Sequence, residues 1–307
     1  MIHAIGNTPL IQLKHLPGPD DAEVWVKWEG ANPTGSMKDR MALAMVMGAE
    51  SIGLLEPGGT VVDYTGGSTG SSLAMVCAAR GYKAHFVSSD AFAESKLRTM
   101  RAFGATVEII PCEGGKITAE LIAKCIDRVQ ELTDEPGYFF TDQFNNNDNR
   151  RAYRIMGKEI LGGLQGRLDA FVAGVGTGGC FSGNAEYLKE HLPLVQCYAV
   201  EPMASQVIAG EEPKGGHRLE GMGAGFVPGI FRDDLCDGTV PVSDEDAMET
   251  TRQLAKKEGL FGGTSSGANV WAALQKAKEL GHGHRVATVV CDSGLKYLDG
   301  DLYQSES

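Results

Sequence analysis

The chain has 307 residues, enough for one large domain or two of medium size. An apolar share of 42% with 22% charged side chains excludes a disordered, collagen-like or coiled-coil chain. A formal charge of −12, from 28 basic and 40 acidic side chains, argues against nucleic acid or an anionic membrane surface as a partner.

From the N-terminus, residues 1–7 carry no basic segment leading into an apolar run, and no stretch reaches the roughly 18 apolar residues of a membrane span. Neither a secretion signal nor a membrane anchor is expected. Val24 and Val26 alternate with Trp25 and Lys27 in a strand-like run, with Trp25 and Trp28 read as packing residues. A loop at 32–37 leads into an apolar helical stretch, Met41–Glu50. A strand at 61–64, a helix at 71–80 ending before Gly81 and a strand at 84–88 follow. Next come a helix at 94–103 stopped by Gly104, a strand at 106–110, a long amphipathic helix at 117–132 and a strand at 138–141. The rhythm resumes with a helix at 151–161, a strand at 170–175, a helix at 181–191 and a strand at 197–200. Helices at 244–258 and 266–280 and a strand at 285–290 complete it. Strands alternating with helices predict an α/β fold with parallel sheets covered on both faces. The irregular stretch 143–149 and the glycine-rich stretch 211–228 are candidate boundaries between two α/β lobes. The seven cysteines, no two within three residues, suggest neither a disulfide framework nor a zinc site, which fits a cytoplasmic protein. Cys77 and Cys291 sit in apolar contexts and read as core.

Glycine is the outlier, at 41 residues against a usual share of about 7%. Three clusters follow predicted strands and precede predicted helices: Thr65-Gly66-Gly67-Ser68-Thr69-Gly70, Gly174-Val175-Gly176-Thr177-Gly178-Gly179 and Gly262-Gly263-Thr264-Ser265-Ser266-Gly267. A helix start offers unpaired N–H groups and the positive end of a dipole, so each cluster is either a tight turn or an anion site. The second also matches G-x-G-x-x-G, with Glu201 about where a dinucleotide fold keeps its ribose-binding acid, so a nicotinamide-dependent oxidoreductase is one reading. His282-Gly283-His284 reads as a solvated turn rather than a metal site, because no acidic or cysteine pair accompanies it; no metal is expected.

Near the N-terminus stands Asn32-Pro33-Thr34-Gly35-Ser36-Met37-Lys38-Asp39-Arg40. Lys38 lies at the start of the following helix, where a cation is disfavoured and deprotonation eased. Such a lysine suits Schiff-base chemistry, although an ordinary surface lysine paired with Asp39 fits the bare pattern too.

This loop resembles the lysine motif of the cysteine synthase family, the fold-type II pyridoxal-phosphate enzymes that include O-acetylserine sulfhydrylases and the catalytic core of cystathionine β-synthases. The likeness continues through Ile5-Gly6-Asn7-Thr8-Pro9-Leu10, Lys27-Trp28-Glu29, Asp142-Gln143-Phe144-Asn145-Asn146, Gly221 to Pro228, Gly263 to Gly267 and Asp292 to Leu298. The resemblance implies two three-layer α/β lobes with mostly parallel sheets. Residues 1–31 and 145–307 would form the larger, phosphate-binding lobe, and residues 32–144 a smaller, mobile, substrate-carboxylate lobe.

By the same resemblance, Lys38 holds pyridoxal 5′-phosphate as a Schiff base and then acts as general base. Gly176, Thr177, Gly178, Gly179 and Cys180 cradle the phosphate, and Ser265 meets the pyridine nitrogen. Thr65, Gly66, Gly67, Ser68, Thr69 and Gln143 bind the substrate carboxylate, Ser68 also reaches the cofactor, and Gly223 borders the site. The implied reaction is β-replacement on an O-activated L-serine through an α-aminoacrylate, with sulfide or a thiol as nucleophile, in a homodimer. A β-eliminating lyase (a cysteine desulfhydrase or serine dehydratase) is the alternative within this chemistry. A binding or regulatory protein on the same fold is made less attractive by the intact Lys38.

Two loops depart from the family pattern. The usual T-S-G-N-T-G reads Thr65-Gly66-Gly67-Ser68-Thr69-Gly70, and Cys180 stands where a threonine is usual. Ser68 is shorter than the family's asparagine, and Gly66 removes a hydroxyl, which is expected to open space beside the bound amino acid.

Overall fold

The computed structural model describes residues 1–112 and 119–304. In chain order the elements are β1 (Leu10–Gln12), β2 (Glu23–Trp28), α1 (Lys38–Ser51), β3 (Thr60–Tyr64), α2 (Ser68–Arg80), β4 (Lys83–Ser89), α3 (Glu94–Ala102) and β5 (Thr106–Ile110). Then follow α4 (Ala119–Thr133), β6 (Tyr138–Phe140), α5 (Asn147–Gly163), β7 (Ala170–Gly174), α6 (Gly179–His191), β8 (Gln196–Pro202), β9 (Gly238–Val242), α7 (Asp244–Glu258), α8 (Thr264–Leu280) and β10 (Arg285–Val290). Positions 117–118, read as the first residues of the long helix, lie outside the described residues. The chain divides into two compact units, Met1–Ile5 with Lys38–Asn149, and Gly6–Met37 with Arg150–Ser307. The breaks expected from the sequence, 31/32 and 144/145, differ from these by a few residues, and residues 1–5 join the other unit; the other candidate boundary, 211–228, falls inside the second unit.

The first unit is built on a four-stranded parallel sheet in the order β5-β4-β3-β6. Val61 and Val62 point to opposite faces of β3, and both are fully buried. That is the signature of a strand covered on two sides. On one side α4 lays down Leu121, Cys125, Val129 and Leu132, spaced 4, 4 and 3, against Val62 and Val87. Gly81 takes the left-handed conformation (φ +79°) that ends α2, its N–H donating to Cys77 O.

The second unit carries a six-stranded sheet in the order β1-β2-β10-β7-β8-β9, parallel except for the β1–β2 pair. Ala268, Ala272, Ala273 and Ala277 of α8 pack in one core with Val24, Val26, Val172, Val286 and Val290, small side chains letting the helix approach the sheet closely. β9 was not anticipated. Its sequence, G-T-V-P-V, contains Pro241, which sequence rules exclude from central strands; β9 pairs only with β8, at the sheet edge where proline is tolerated.

The N-terminal signature forms a buried polar clasp within this second unit. Thr8 Oγ1 donates to Glu29 Oε1 (2.6 Å), Asn32 Nδ2 to Glu29 Oε2 (2.8 Å), and Gly6 N to Asn32 Oδ1 (2.9 Å). Lys27, almost fully buried, pairs with Glu159 at 2.7 Å.

Candidate active site

Lys38 is the first residue of α1 and only 9% exposed. Its neighbour Asp39 is held by Ser72 of α2, whose hydroxyl donates at 2.6 Å, so the starts of these two helices are tied together. The loop at the carboxyl end of β3 folds back on Thr65, whose Oγ1 accepts from Gly67 N (3.1 Å) and Gly70 N (3.0 Å). Ser88 donates to Thr65 O at 2.7 Å, anchoring the loop to β4. These bonds occupy the Gly67 N–H, leaving those of Ser68 and Thr69 as the donors of the bare helix start. Thr69 Oγ1 donates to Gln143 Oε1 (2.8 Å), and Gln143 Nε2 donates to Tyr64 O (3.1 Å). Thr65, Gly67, Thr69 and Gln143 are thus brought into one network.

Behind this network lies a carboxyl that sequence reasoning missed. Asp63, at the centre of the sheet, accepts a hydrogen bond from Thr141 Oγ1, and burial lifts its pKa to about 7 against the lowering effect of that bond. Thr141 stands two residues before Gln143, so the buried acid holds the segment that presents the amide. Asp142 between them takes φ +44°, a strained conformation that Asp and Asn tolerate better than most residues.

The glycines of the loop are covered by protein. A side-chain carbon on Gly66 would lie 2.6 Å from Cε1 of Phe92; one on Gly67 would collide with the stem of Lys96, and one on Gly70 with Met100 Sδ. The expectation that Gly66 opens space is therefore corrected, since the Phe92 ring fills that space.

In the second unit, α6 opens at Gly178, which is left-handed (φ +83°), with no side-chain cap and no acid in the first turn. Gly176 packs against Gly221 O, and Gly178 packs against the backbone of Phe231, where an added carbon would come within 3.2 Å. Protein packing, rather than approach of a ligand, thus requires these two glycines. The bare helix start is the feature that suits a phosphate. Cys180 is buried in the first turn, and Asn184 Nδ2 donates to its carbonyl at 2.7 Å. Gly223 N donates to Val175 O (2.9 Å), joining the 221–225 loop to the candidate phosphate loop. His217 accepts from Leu219 N through Nδ1, so its Nε2 carries the proton and donates to Gly223 O at 3.0 Å.

Ser265 lies in the first turn of α8, buried, behind an N-cap glycine that makes no side-chain cap bond. A side chain on that glycine, Gly263, would collide with the ring of Tyr297. Tyr297 donates to Asp292 Oδ2 at 2.8 Å, and burial pushes its phenol well above the usual range. Tyr303 donates to Gly262 O at 2.5 Å. The last residues of the chain thus brace the loop that carries Ser265, a support no motif announced.

α7 provides the contrast. It is capped by Ser243, which accepts from Asp246 N, and has Asp244, Glu245 and Asp246 in its first turn. The N-cap glycines of α2, α6 and α8 make no side-chain cap bond and no acid stands in those first turns, although Thr65 Oγ1 accepts from Gly70 N in α2 and Thr177 Oγ1 from Gly179 N in α6. The remaining first-turn N–H groups are left to external anions or polar atoms, a donor set that fits a phosphate, a carboxylate and a ring nitrogen. The dinucleotide reading loses its acid. Both oxygens of Glu201 are taken by backbone N–H groups, of Ile208 at 2.6 Å and Ala209 at 3.0 Å. His282 and His284 lie in an exposed turn, with His284 Nδ1 3.0 Å from Asp169, and no group of residues suited to a metal occurs among the described residues.

Comparison with known proteins agrees with this geometry. The family model of pyridoxal-phosphate-dependent enzymes matches residues 1–292. A cysteine synthase of Staphylococcus aureus is 43% identical over 301 residues, covering 97% of this chain and 95% of that protein. The crystal structure of O-ureido-L-serine synthase superposes with a TM-score of 0.93 at 35% identity, over 100% of this chain and 95% of that one. An O-acetylserine-dependent cystathionine β-synthase from Helicobacter pylori superposes with a TM-score of 0.91 at 37% identity, over 99% and 98%. The chain belongs to the pyridoxal-phosphate-dependent enzyme family, as a cysteine synthase-like member of it.

Proposed function

We propose that the protein catalyses β-replacement on an O-activated L-serine, exchanging the β-oxygen substituent for sulfide or a thiol. The observation that carries this reading is the set of three helix starts, at α2, α6 and α8, with a glycine N-cap and no acid in the first turn, while α7 has a serine cap and three acids. Bound pyridoxal phosphate supplies the electron sink that acidifies an amino acid's Cα–H and lets its β-substituent leave. In this reading Lys38 would hold the cofactor through its amine and would afterwards serve as the base toward the amino acid's Cα proton. The N–H groups at the start of α6, with Thr177, hold the phosphate. Cys180 contributes a weaker donor than a threonine hydroxyl would. Ser265 meets the ring nitrogen as a neutral partner, so the nitrogen need not be protonated. Ser68 and Thr69 N–H groups with Gln143 bind the substrate carboxylate, while Gly66 and Gly67 let the loop take its shape and Gly223 shapes the neighbouring loop. The smaller unit is read as the mobile one, closing to exclude water.

The protein is further read as a cytoplasmic homodimer. The seven cysteines form no disulfide among the described residues, which is compatible with a reducing compartment, and the dimer is carried over from the family. No helix among the described residues is long and apolar enough to cross a membrane. Size-exclusion chromatography with light scattering tests the dimer.

The reaction is tested with the purified protein, O-acetyl-L-serine and sodium sulfide. Cysteine should accumulate, the visible cofactor band should disappear on borohydride reduction, and Lys38→Ala should cost about 10²–10⁴-fold or more in rate. Pyruvate without cysteine would replace this reading with the eliminating one.

A further inference from the structure

The β3–α2 loop and the β4–α3 loop lie side by side, because β3 and β4 are adjacent parallel strands with Tyr64 opposite Val87. The second loop turns back at Phe92, whose N–H donates to Ser89 O at 3.2 Å, and then enters α3. Phe92, Lys96 and Met100 follow at intervals of four, and they cover Gly66, Gly67 and Gly70 respectively. One stripe of the α3 segment is thus fitted onto the glycines of the candidate carboxylate loop. Two of these contacts have purely structural reasons. Gly67 has φ +152°, which a side chain rarely adopts, and Gly70 is enclosed by Met100 and by Thr65 of its own loop. Gly66 differs, because its backbone lies outside the left-handed region and the three atoms nearest to an added side-chain carbon all belong to the Phe92 ring. That ring also packs against Tyr64, centroids 6.4 Å apart, and remains partly exposed. A partly exposed aromatic face therefore stands beside the loop at the position where a side chain of residue 66 would otherwise project.

We propose that Phe92 is a specificity-determining residue, its ring over Gly66 forming an apolar wall that favours a carbon-bearing thiol over free sulfide as the incoming nucleophile. This rests on the β-replacement reading above. With O-acetyl-L-serine the Cβ–O bond breaks and a Cβ–S bond forms. The thiol RSH becomes the S-substituted cysteine, and its proton leaves with the acetate as acetic acid. The carbon chain of R gains contact with the ring that hydrosulfide cannot make, and sulfur itself packs well against aromatic edges.

The test uses the cofactor-loaded enzyme and its Phe92→Ala, Phe92→Leu and Gly66→Ser variants, with the Gly66→Ser/Phe92→Ala double variant. The first readout is the ratio of kcat/KM for ethanethiol to that for sulfide. Phe92→Ala should lower it about tenfold, the lower end of what one methylene is worth in an apolar pocket, and Phe92→Leu should keep most of it. Gly66→Ser should lower activity with both nucleophiles by displacing the ring, and the double variant should recover the sulfide reaction in part. The second readout needs no turnover: the affinity for S-ethyl-L-cysteine relative to L-cysteine, from titration of the visible band, should fall in Phe92→Ala. An unchanged affinity ratio in a folded, cofactor-loaded Phe92→Ala protein overturns the assignment. Failure of the wild type to form product with either sulfide or a thiol would defeat the proposed reaction, and the affinity ratio would still decide the role of Phe92.

Discussion

Asp63 has a measurable signature. Its carboxyl is buried and lifted to about 7, whereas an unfolded chain releases that proton near 3.9. The native state therefore binds an extra proton between those values, so this residue's contribution to stability falls as pH rises from about 4 to about 7 and is level above. Asp142 nearby adds a like charge that raises it further, and Thr141 hydrogen-bonds to it. Replacement by Asn keeps an acceptor for Thr141 and removes the titration. Thermal unfolding of Asp63→Asn and wild type at pH 5.5 and pH 8 should show the variant's relative stability rising by on the order of 2 kcal/mol across that interval. A constant difference would refute the shift. Lys38, Gln143 and Ser265 were legible because each sits in a motif. Asp63 was not, because V-V-D-Y reads as an ordinary strand and only the covering of both sheet faces turns its aspartate into a buried acid.

At the scale of elements, predicted strands and observed strands agree closely where β-branched residues end at polar or glycine stops; β5 and β10 begin and end where expected. The helices of the glycine clusters begin earlier than expected, α2 at 68 rather than 71, α6 at 179 rather than 181 and α8 at 264 rather than 266. The cause is physical. Gly, Ser and Thr look like loop residues by propensity, yet here they occupy first turns whose N–H groups stay outside the helical ladder. Propensity misplaced these boundaries at the candidate anion sites. Which side chains fill the space over a glycine was not legible at all, since it depends on strand order. Leu73, fully buried in α2, the helix that follows the candidate carboxylate loop, tests how firmly that loop is seated. Leu73→Ala should cost about 3 kcal/mol in urea denaturation. It should also raise KM for the amino acid more than it lowers kcat. At α7, Ser243→Ala should cost about 1 kcal/mol by loss of the cap to Asp246, without altering KM.

On the scale of the whole molecule, an acidic chain with a net charge of −12 gathers uncapped, acid-free helix starts at its candidate anion sites. The contrast between general surface charge and local donor sets was visible in the glycine clusters. The packing of Tyr297 and Tyr303 against one of them was not, because these two tyrosines carry no periodic pattern. Tyr297→Phe should preserve the fold while loosening the Ser265 loop, read as a shift of the visible cofactor band. An identical spectrum would confine Tyr297 to packing.

The bare start of α6 has a practical consequence at the bench. A helix end suited to one phosphate accepts another, so inorganic phosphate in the buffer competes with the cofactor for the apoprotein. Reconstitution with pyridoxal phosphate should be slower in potassium phosphate than in Tris-chloride of equal ionic strength, and apoprotein stored in phosphate should melt at a higher temperature. Buffer composition will therefore change the measured saturation of any preparation and, through it, the apparent specific activity.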